Sequence, residues 1–305
     1  MRLVRPPTEP SSLEEKTAMN TLTNLAATFG AVLALESSFA PPAFASSAER
    51  ATAIKLYTLD CGLTQFTDAA VFSDTGEYDG EPIELPTPCY LIRHGDDWLL
   101  WDTGNGDHLA ALRNGVEMFG GRFTQPRTLV SQLAELGITP ADVDYVAISH
   151  LHQDHTGNIN LFSRSTFLIA GAELAWAQAT PTPFGVNAEA IAPLRQARIE
   201  TTDEDKDVFG DASVRILKAP GHTPGSRMLL INLPDTGPVL ITGDLFHTRD
   251  NYRADRVPAI NSSRAETLAS SRRFRTLAQN LHARVVVQHA PEDYAAMPTF
   301  PAFLD

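Results

Sequence analysis

Three histidines and an aspartate lie within six positions of one another in SHLHQDHTGN, residues 149–158. An apolar run, residues 145–148, comes directly before them and predicts a short buried strand. Where a strand gives way to a loop, successive side chains can face one point from different sides. Imidazole suits zinc and similar ions, and a carboxylate suits a second, harder divalent ion. The cluster therefore predicts four metal ligands that supply part of two sites: His150, His152, Asp154 and His155.

Further candidate ligands follow three later apolar runs. His222 lies in a tight turn after one run, Asp244 directly follows another, and His289 ends a third. Taken alone, such a histidine is more often a surface or satisfied core side chain, and such an aspartate a turn or cap residue. The recurrence of a ligand type at successive strand ends, after the histidine cluster, predicts that all seven side chains share one metal centre.

The apolar runs predict strands in both halves of the chain, at residues 54–59, 89–93, 98–101, 145–149, 165–170, 214–218, 228–232, 239–242 and 284–288. Helical spacing of apolar residues predicts helices within residues 125–137, 173–178 and 263–280. Residues 64–87 are polar, with glycine and proline, and predict a long surface loop. This order of elements predicts an α/β fold with two mixed sheets face to face and helices outside.

The first 45 residues differ from the rest. An apolar run, residues 25–35, is too short to span a bilayer and is followed by the cleavage pattern Ala43-Phe44-Ala45. We therefore expect residues 1–45 to be a signal peptide, or otherwise an N-terminal extension, and residues 46–305 to form one domain. The signal peptide predicts export to the periplasm or outside a bacterial cell.

The formal net charge of -13 is spread along the chain. It argues against nucleic acid or an anionic membrane as a partner.

The two cysteines, Cys61 and Cys89, lie in or beside strand-like runs and away from the histidine cluster. In an exported protein they could pair. Two separately buried thiols are the commoner arrangement for such residues, and we predict that arrangement, with no catalytic role.

The motif HLHQDH at residues 150–155, followed in order by Gly221-His222, Gly243-Asp244 and Gln288-His289, resembles the metallo-beta-lactamase superfamily. The resemblance implies an αββα sandwich with a metal site between the sheets at one edge. It implies that one metal ion is held by His150, His152 and His222, that the other is held by Asp154, His155 and His289, and that Asp244 bridges the two. Asp102 matches the family's aspartate that orients a metal ligand.

Such a site suits hydrolysis. Two cations close together lower the pKa of a shared water, so that hydroxide forms near neutral pH, and one of them can polarise a scissile carbonyl. The G-x-S-x-G elbow of serine hydrolases does not occur in the sequence. We predict a dinuclear metal hydrolase with two divalent ions, which we expect to be zinc, although cobalt, manganese and iron accept overlapping ligands.

The bridging aspartate favours lactonases, glyoxalase-II-like thioesterases and phosphodiesterases, because the beta-lactamases with the most similar ligands lack it. The segments that resemble N-acyl homoserine lactonases are residues 88–92, 243–252, 256–258, 264–271, 287–294 and 300–302. Many lactonases of this family carry a tyrosine three residues after the bridging aspartate, where this chain has His247. A histidine can donate the same hydrogen bond to a substrate carbonyl; the alternative is an exposed loop residue without a role.

The predicted reaction opens the lactone ring of N-acyl homoserine lactones, which is quorum quenching, by attack of a hydroxide that bridges the metals. Asp154, Asp244 and His247 are the predicted catalytic residues, with Asp154 passing a proton to the ring oxygen. An apolar wall for the acyl chain, or else ordinary packing, is expected at Met118, Phe119, Phe123 and Phe184.

The alternative functions are another lactonase or a beta-lactamase-like hydrolase; a non-catalytic binding module would require missing ligands. The expected partner is the small acylated lactone, with no membrane span, and monomer and homodimer stay open.

Overall fold

The computed structural model describes residues 53–305, in which the strands form two sheets. The first sheet consists of β1 (Ile54–Phe66), β2 (Ile83–His94), β3 (Asp97–Trp101), β4 (Val116–Met118), β5 (Gly121–Thr124), β6 (Tyr145–Ala147), β7 (Thr166–Ile169), β8 (Arg198–Thr201) and β14 (Phe303–Leu304). The second sheet consists of β9 (Lys206–Asp207), β10 (Val214–Lys218), β11 (Arg227–Leu233), β12 (Gly237–Ile241) and β13 (Arg284–Val286). The helices are α1 (Leu129–Glu135), α2 (Gln153–Thr156), α3 (Gly171–Ala177), α4 (Arg249–Ala254), α5 (Arg264–Leu281) and α6 (Pro291–Ala296).

Both sheets are mixed. The first has the order β4-β5-β1-β2-β3-β6-β7-β8, with β14 also paired to β1. Its strands β1, β2 and β3 are antiparallel, whereas β3, β6, β7 and β8 run parallel. The second has the order β13-β12-β11-β10-β9, and β13 runs parallel to β12 while the other pairs are antiparallel.

Apolar side chains form layers between and outside the sheets. Because side chains alternate along a strand, Leu56 of β1 packs with Ile231 of the second sheet, whereas Leu59 packs with Leu133 of α1 on the outer face. On the outer face of the second sheet, Phe274 of α5 packs against the strands. This arrangement confirms the predicted αββα sandwich with helices outside.

The predicted long loop at residues 64–87 is shorter than expected. β1 continues to Phe66 and β2 begins at Ile83, so the connection spans residues 67–82. The pairing register between β1 and β2 shifts between Asp60 and Leu63. A bulge of this kind interrupts the alternation of apolar and polar residues while the strand itself continues, which is why the sequence pattern ended the strand too early.

Cys61 and Cys89 form a disulfide, with their Cα atoms 5.6 Å apart. The prediction of two separate thiols was therefore wrong. Cys61 lies inside the bulge of β1, and Cys89 lies on β2 opposite Leu59. The bulge brings the two side chains together across neighbouring strands, a contact that spacing along the sequence does not show.

The described residues 53–305 form one compact unit, and the predicted signal peptide at residues 1–45 lies outside them. Among the helices of residues 53–305, none has the length and apolar character needed to cross a membrane.

Candidate metal centre

The seven predicted ligands come from strand ends in both sheets. His150, His152, Asp154 and His155 follow β6 of the first sheet, on the loop that leads into α2 and on α2 itself. The other three follow strands of the second sheet: His222 after β10, Asp244 after β12 and His289 after β13. The structure brings all seven together where the two sheets meet.

Backbone turns that need glycine shape this region at two points. Gly243, just before Asp244, has φ +53°, and a Cβ there would lie 2.5 Å from the carbonyl oxygen of Arg227. Gly185 has φ +82°, and a Cβ there would lie 2.5 Å from Cδ2 of His152. A larger residue at either position would displace a ligand, because this backbone conformation and this close approach both require glycine.

The ligand atoms fall into two groups that share Asp244. Site 1 consists of His150, His152, His222 and Asp244, and site 2 consists of Asp154, His155, His289 and Asp244; within each, the ligand atoms lie within 4.8 Å of one another. Oδ2 of Asp244 lies 3.6 Å from Nε2 of His150 and 3.5 Å from Nε2 of His222. Its Oδ1 lies 3.2 Å from Nε2 of His155 and 3.0 Å from Nε2 of His289. One carboxylate thus offers one oxygen to each site.

The donor set fits a pair of divalent ions. Nε2 of His150 is buried and has no hydrogen-bond partner in the described structure. Nε2 of His155 lies 3.3 Å from Nε2 of His289, and Nδ1 of His152 lies 3.0 Å from Nε2 of His222. Converging ring nitrogens of this kind present lone pairs to a common point, which is the arrangement that holds a cation.

Second nitrogens of the ligand histidines are held by other groups. Nδ1 of His155 lies 2.8 Å from Oδ2 of Asp102. The same oxygen accepts a hydrogen bond from Nε2 of Gln288 at 2.8 Å, and Oδ1 of Asp102 accepts one from the backbone N–H of Ser149 at 2.7 Å. Asp102 therefore occupies the orienting position that the resemblance implied. Such partners fix which nitrogen is free to bind metal.

Two further orienting contacts were not found from the sequence. Nδ1 of His289 lies 2.8 Å from the carbonyl oxygen of Pro86, and Nδ1 of His222 lies 2.8 Å from Oδ1 of Asn261. Neither partner belongs to a recognisable motif, so only the fold shows the contact.

The histidines of site 1 have low pKa values. Burial, with the neighbouring His155, lowers the pKa of His150 well below its ordinary value. Burial and the adjacent His222 lower the pKa of His152 to about 3, and burial lowers that of His222 to about 4. These imidazoles are neutral near pH 7, as a metal ligand must be.

Site 2 carries more negative charge. Burial works to lower the pKa of His155, but the carboxylates of Asp244, Asp154 and Asp102 raise it well above its ordinary value. His289 is also buried, and Asp244 raises its pKa. Burial raises the pKa of Asp244, yet the surrounding histidines outweigh it and hold that pKa well below its usual range. Asp244 is thus an ionised carboxylate that attracts cations.

A cleft of about 530 Å³ opens onto the centre and is lined by His152, Asp154, His222 and Asp244. His247 also lines it, with Nε2 3.1 Å from Oδ2 of Asp244. His247 is buried rather than an exposed loop residue.

Apolar side chains form most of the remaining lining. Of the predicted wall, Phe119, Phe123 and Phe184 line the cleft, whereas Met118 does not. A second group of apolar lining residues was not predicted from the sequence and consists of Phe66, Val71, Phe72, Leu85 and Ile260. The first four of these residues lie in or next to the connection between β1 and β2, which had been interpreted as surface loop, whereas Ile260 lies between α4 and α5.

The fold and the site together define a metal-dependent hydrolase class. The family model of the metallo-beta-lactamase superfamily matches residues 82–289. The chain belongs to this superfamily and is a hydrolase.

Similar proteins of known name are N-acyl homoserine lactonases. The AttM lactonase of Azorhizobium caulinodans is 31% identical over 265 residues, which cover 83% of this chain and 100% of that protein. A crystal structure of a Bacillus thuringiensis AiiA mutant with N-decanoyl-L-homoserine bound at the active site has a TM-score of 0.72 and 26% identity, covering 83% of this chain and 99% of that one. A hydrolase structure with the product N-hexanoyl-L-homoserine at the catalytic metal center has a TM-score of 0.72 and 25% identity, covering 83% and 99%.

Proposed function

We propose that this hydrolase opens the lactone ring of N-acyl homoserine lactones. The observation that carries the proposal is one cleft in which the ligands of both sites meet two apolar walls. A polar lactone head and an apolar acyl tail call for these two surfaces side by side. The names of the similar proteins support the same substrate class.

When bound, a pair of divalent ions, which we propose to be zinc, would activate a water and polarise the lactone carbonyl. Asp244 holds the two sites at a fixed spacing because it offers an oxygen to each. Asp154 differs from the six other ligands, all buried, because its side chain is 22% exposed and lines the cleft. We propose that it takes a proton from the attacking water and passes it to the ring oxygen as that oxygen leaves.

His247 is the proposed hydrogen-bond donor to the substrate carbonyl. Its ring lies 4.9 Å from the ring of Phe72, centroid to centroid, and both side chains line the cleft. Nδ1 of His247 is buried and makes no hydrogen bond in the described structure. The packing on Phe72 therefore holds this side of the imidazole ring in place. A donor held in this way can stabilise charge that develops on the carbonyl oxygen.

The aromatic rings near the entrance are the proposed acyl-chain contacts. Phe119 stacks edge-on against both Phe123 and Phe184, with centroid distances of 6.4 Å and 5.7 Å. Phe184 is 55% exposed. We propose that the acyl chain of the substrate covers this ring at the mouth of the cleft.

The test is ring-opening kinetics on metal-quantified protein with homoserine lactones of increasing acyl length. We expect turnover of acylated homoserine lactones, with higher kcat/KM for longer chains. The same preparation is assayed with a chromogenic cephalosporin and with lactones that lack an acyl chain. Turnover of the cephalosporin or of the unacylated lactones, without opening of the homoserine lactones, would replace the proposed substrate by one of these classes.

We also propose that the chain is exported. The Cys61–Cys89 disulfide supports this proposal, because such bonds persist in oxidising compartments outside the cytosol. Cell fractionation with N-terminal sequencing of the isolated protein tests it: we expect a mature protein that begins at Ser46. Recovery of the uncut chain in the cytosol would reject the proposal.

A further inference from the structure

We propose that Glu173 is a positioning residue that ties together the two loops supplying the histidines of site 1. Glu173 lies on α3, behind the metal centre, and is 1% exposed. It is not among the residues that line the cleft. Its influence on the centre therefore acts through other residues, and the inference rests on the proposed two-metal centre but not on the identity of the substrate.

The carboxylate of Glu173 accepts three hydrogen bonds from two loops. Oε1 accepts the backbone N–H of Leu151 at 2.8 Å. Oε2 accepts the hydroxyl of Thr223 at 2.7 Å and the backbone N–H of Gly225 at 2.9 Å. One side chain thus joins the loop after β6, in the first sheet, to the loop after β10, in the second.

The bonded groups are neighbours of metal ligands in the chain. Leu151 lies between His150 and His152, and Thr223 directly follows His222. All three of these histidines belong to site 1. Fixing Leu151 and Thr223 to one carboxylate therefore fixes the separation of the two loops at this site.

Site 2 is held by different groups. His155 is oriented by Asp102, and His289 by the carbonyl oxygen of Pro86. Because Glu173 touches neither arrangement, its removal should affect site 1 selectively. This difference separates a positioning role from a general contribution to folding.

An ionised carboxylate suits this position because it is an acceptor only and can satisfy several donors at once. Burial raises the pKa of Glu173, and the three hydrogen bonds and the nearby Arg227 oppose that effect. A Cβ at Gly225 would lie 2.5 Å from Cβ of Glu173, so the loop approaches the helix as closely as only glycine permits. A neutral amide in place of the carboxylate would turn an N–H₂ group toward donors.

The first experiment compares zinc binding by the wild-type chain, Glu173→Gln and the control Glu189→Gln, which changes an exposed glutamate. We expect the wild type and the control to bind two ions. In Glu173→Gln, we expect the affinity of one ion to fall about 10- to 100-fold, as for other outer partners of metal ligands. The second ion should keep its affinity within about 2-fold, and excess zinc should restore kcat.

Cobalt substitution identifies the ion that is lost. Asp102→Asn, which alters the partner of His155, provides the reference spectrum of a chain weakened at site 2. If Glu173→Gln instead loses the cobalt absorption that the Asp102→Asn chain keeps, the weakened ion is the one at site 1, and the inference is supported. Equal weakening of both ions, an unchanged affinity for both, or the spectrum of the Asp102→Asn chain overturns it.

A milder variant covers the case in which Glu173→Gln does not fold. Thr223→Val removes one of the three hydrogen bonds, and we expect a smaller loss confined to the same ion. Unchanged binding of both ions by this variant would count against the inference.

A wild-type chain that binds two ions but opens no homoserine lactone would reject the proposed substrate alone, whereas a wild-type chain without an ion at site 1 would overturn both proposals.

Discussion

Nε2 of His247 lies 3.1 Å from Oδ2 of Asp244, the carboxylate oxygen that faces site 1. Asp244 lies within a short helical turn after β12, and His247 follows that turn by two residues, so the fold sets their separation. His247 therefore lies beside the carboxylate that both sites share. The relationship allows two roles, carbonyl donor or additional ligand, and mutation separates them.

His247→Phe is expected to lower kcat about 100-fold, because an aromatic ring of similar shape keeps the packing on Phe72 but removes the donor. The zinc content should stay at two ions per chain. Kinetics and metal analysis on the same preparation check both points, with His108→Ala, a change at an exposed histidine outside the cleft, as the control. A lower zinc content would show that His247 is a metal ligand instead.

Asp244→Ala is expected to reduce kcat/KM by more than about 100-fold, because loss of a ligand shared by both sites should cost more than loss of an outer partner, which costs about 10- to 100-fold. It should also remove part of the bound metal, because one oxygen is lost from each site. Asp244→Asn should lose less metal, since the amide keeps one oxygen acceptor. Turnover by Asp244→Ala at the wild-type rate would exclude this carboxylate from the mechanism.

Phe184→Ala is expected to lower kcat/KM about 10-fold for a decanoyl homoserine lactone, the size of effect that loss of an apolar contact produces. For a butanoyl homoserine lactone we expect little change, because a short chain does not reach the entrance. Met118→Ala is the matched control, since Met118 does not line the cleft. An equal loss on both substrates would indicate that Phe184 supports the loop rather than the acyl chain.

Replacing Cys61 and Cys89 together by alanine is expected to lower the free energy of unfolding by about 3 to 4 kcal/mol, the chain-entropy value for a loop of this length. The sequence separation of the two cysteines is 28 residues. Urea unfolding of metal-loaded protein, with and without a thiol reductant, measures the effect. Identical midpoints for the wild type under both conditions would show that the bond does not form in solution.

The cluster of candidate metal ligands could be predicted from the sequence because its members lie at or shortly after the ends of apolar runs. His150 and His155 lie in one short motif, and strand ends at one edge of a sandwich must meet. Glu173 could not be found in this way. An alanine-rich helical stretch around a glutamate is typical of a solvent-facing position, and only the packing of two loops on α3 shows that this carboxylate is buried.

The apolar wall around Phe72 was missed for a related reason. Polar and glycine residues separate Phe66, Phe72 and Leu85 along the chain, so no periodic pattern links them. They meet because the connection between β1 and β2 folds over the cleft. A hydrogen bond from the backbone N–H of Ala259, in the segment before α5, to the carbonyl oxygen of Val71 holds the connection there. Contacts between distant segments of this kind carry no local sequence signal.

Site 1 takes two histidines from the first sheet, and His222 and Asp244 from the second. An ion held there would join loops from the two sheets. Its binding energy would stabilise the folded state and so add to its resistance to heat and proteases. In surroundings poor in such metal ions, the supply of ions would then govern how long each molecule survives as well as how fast it works.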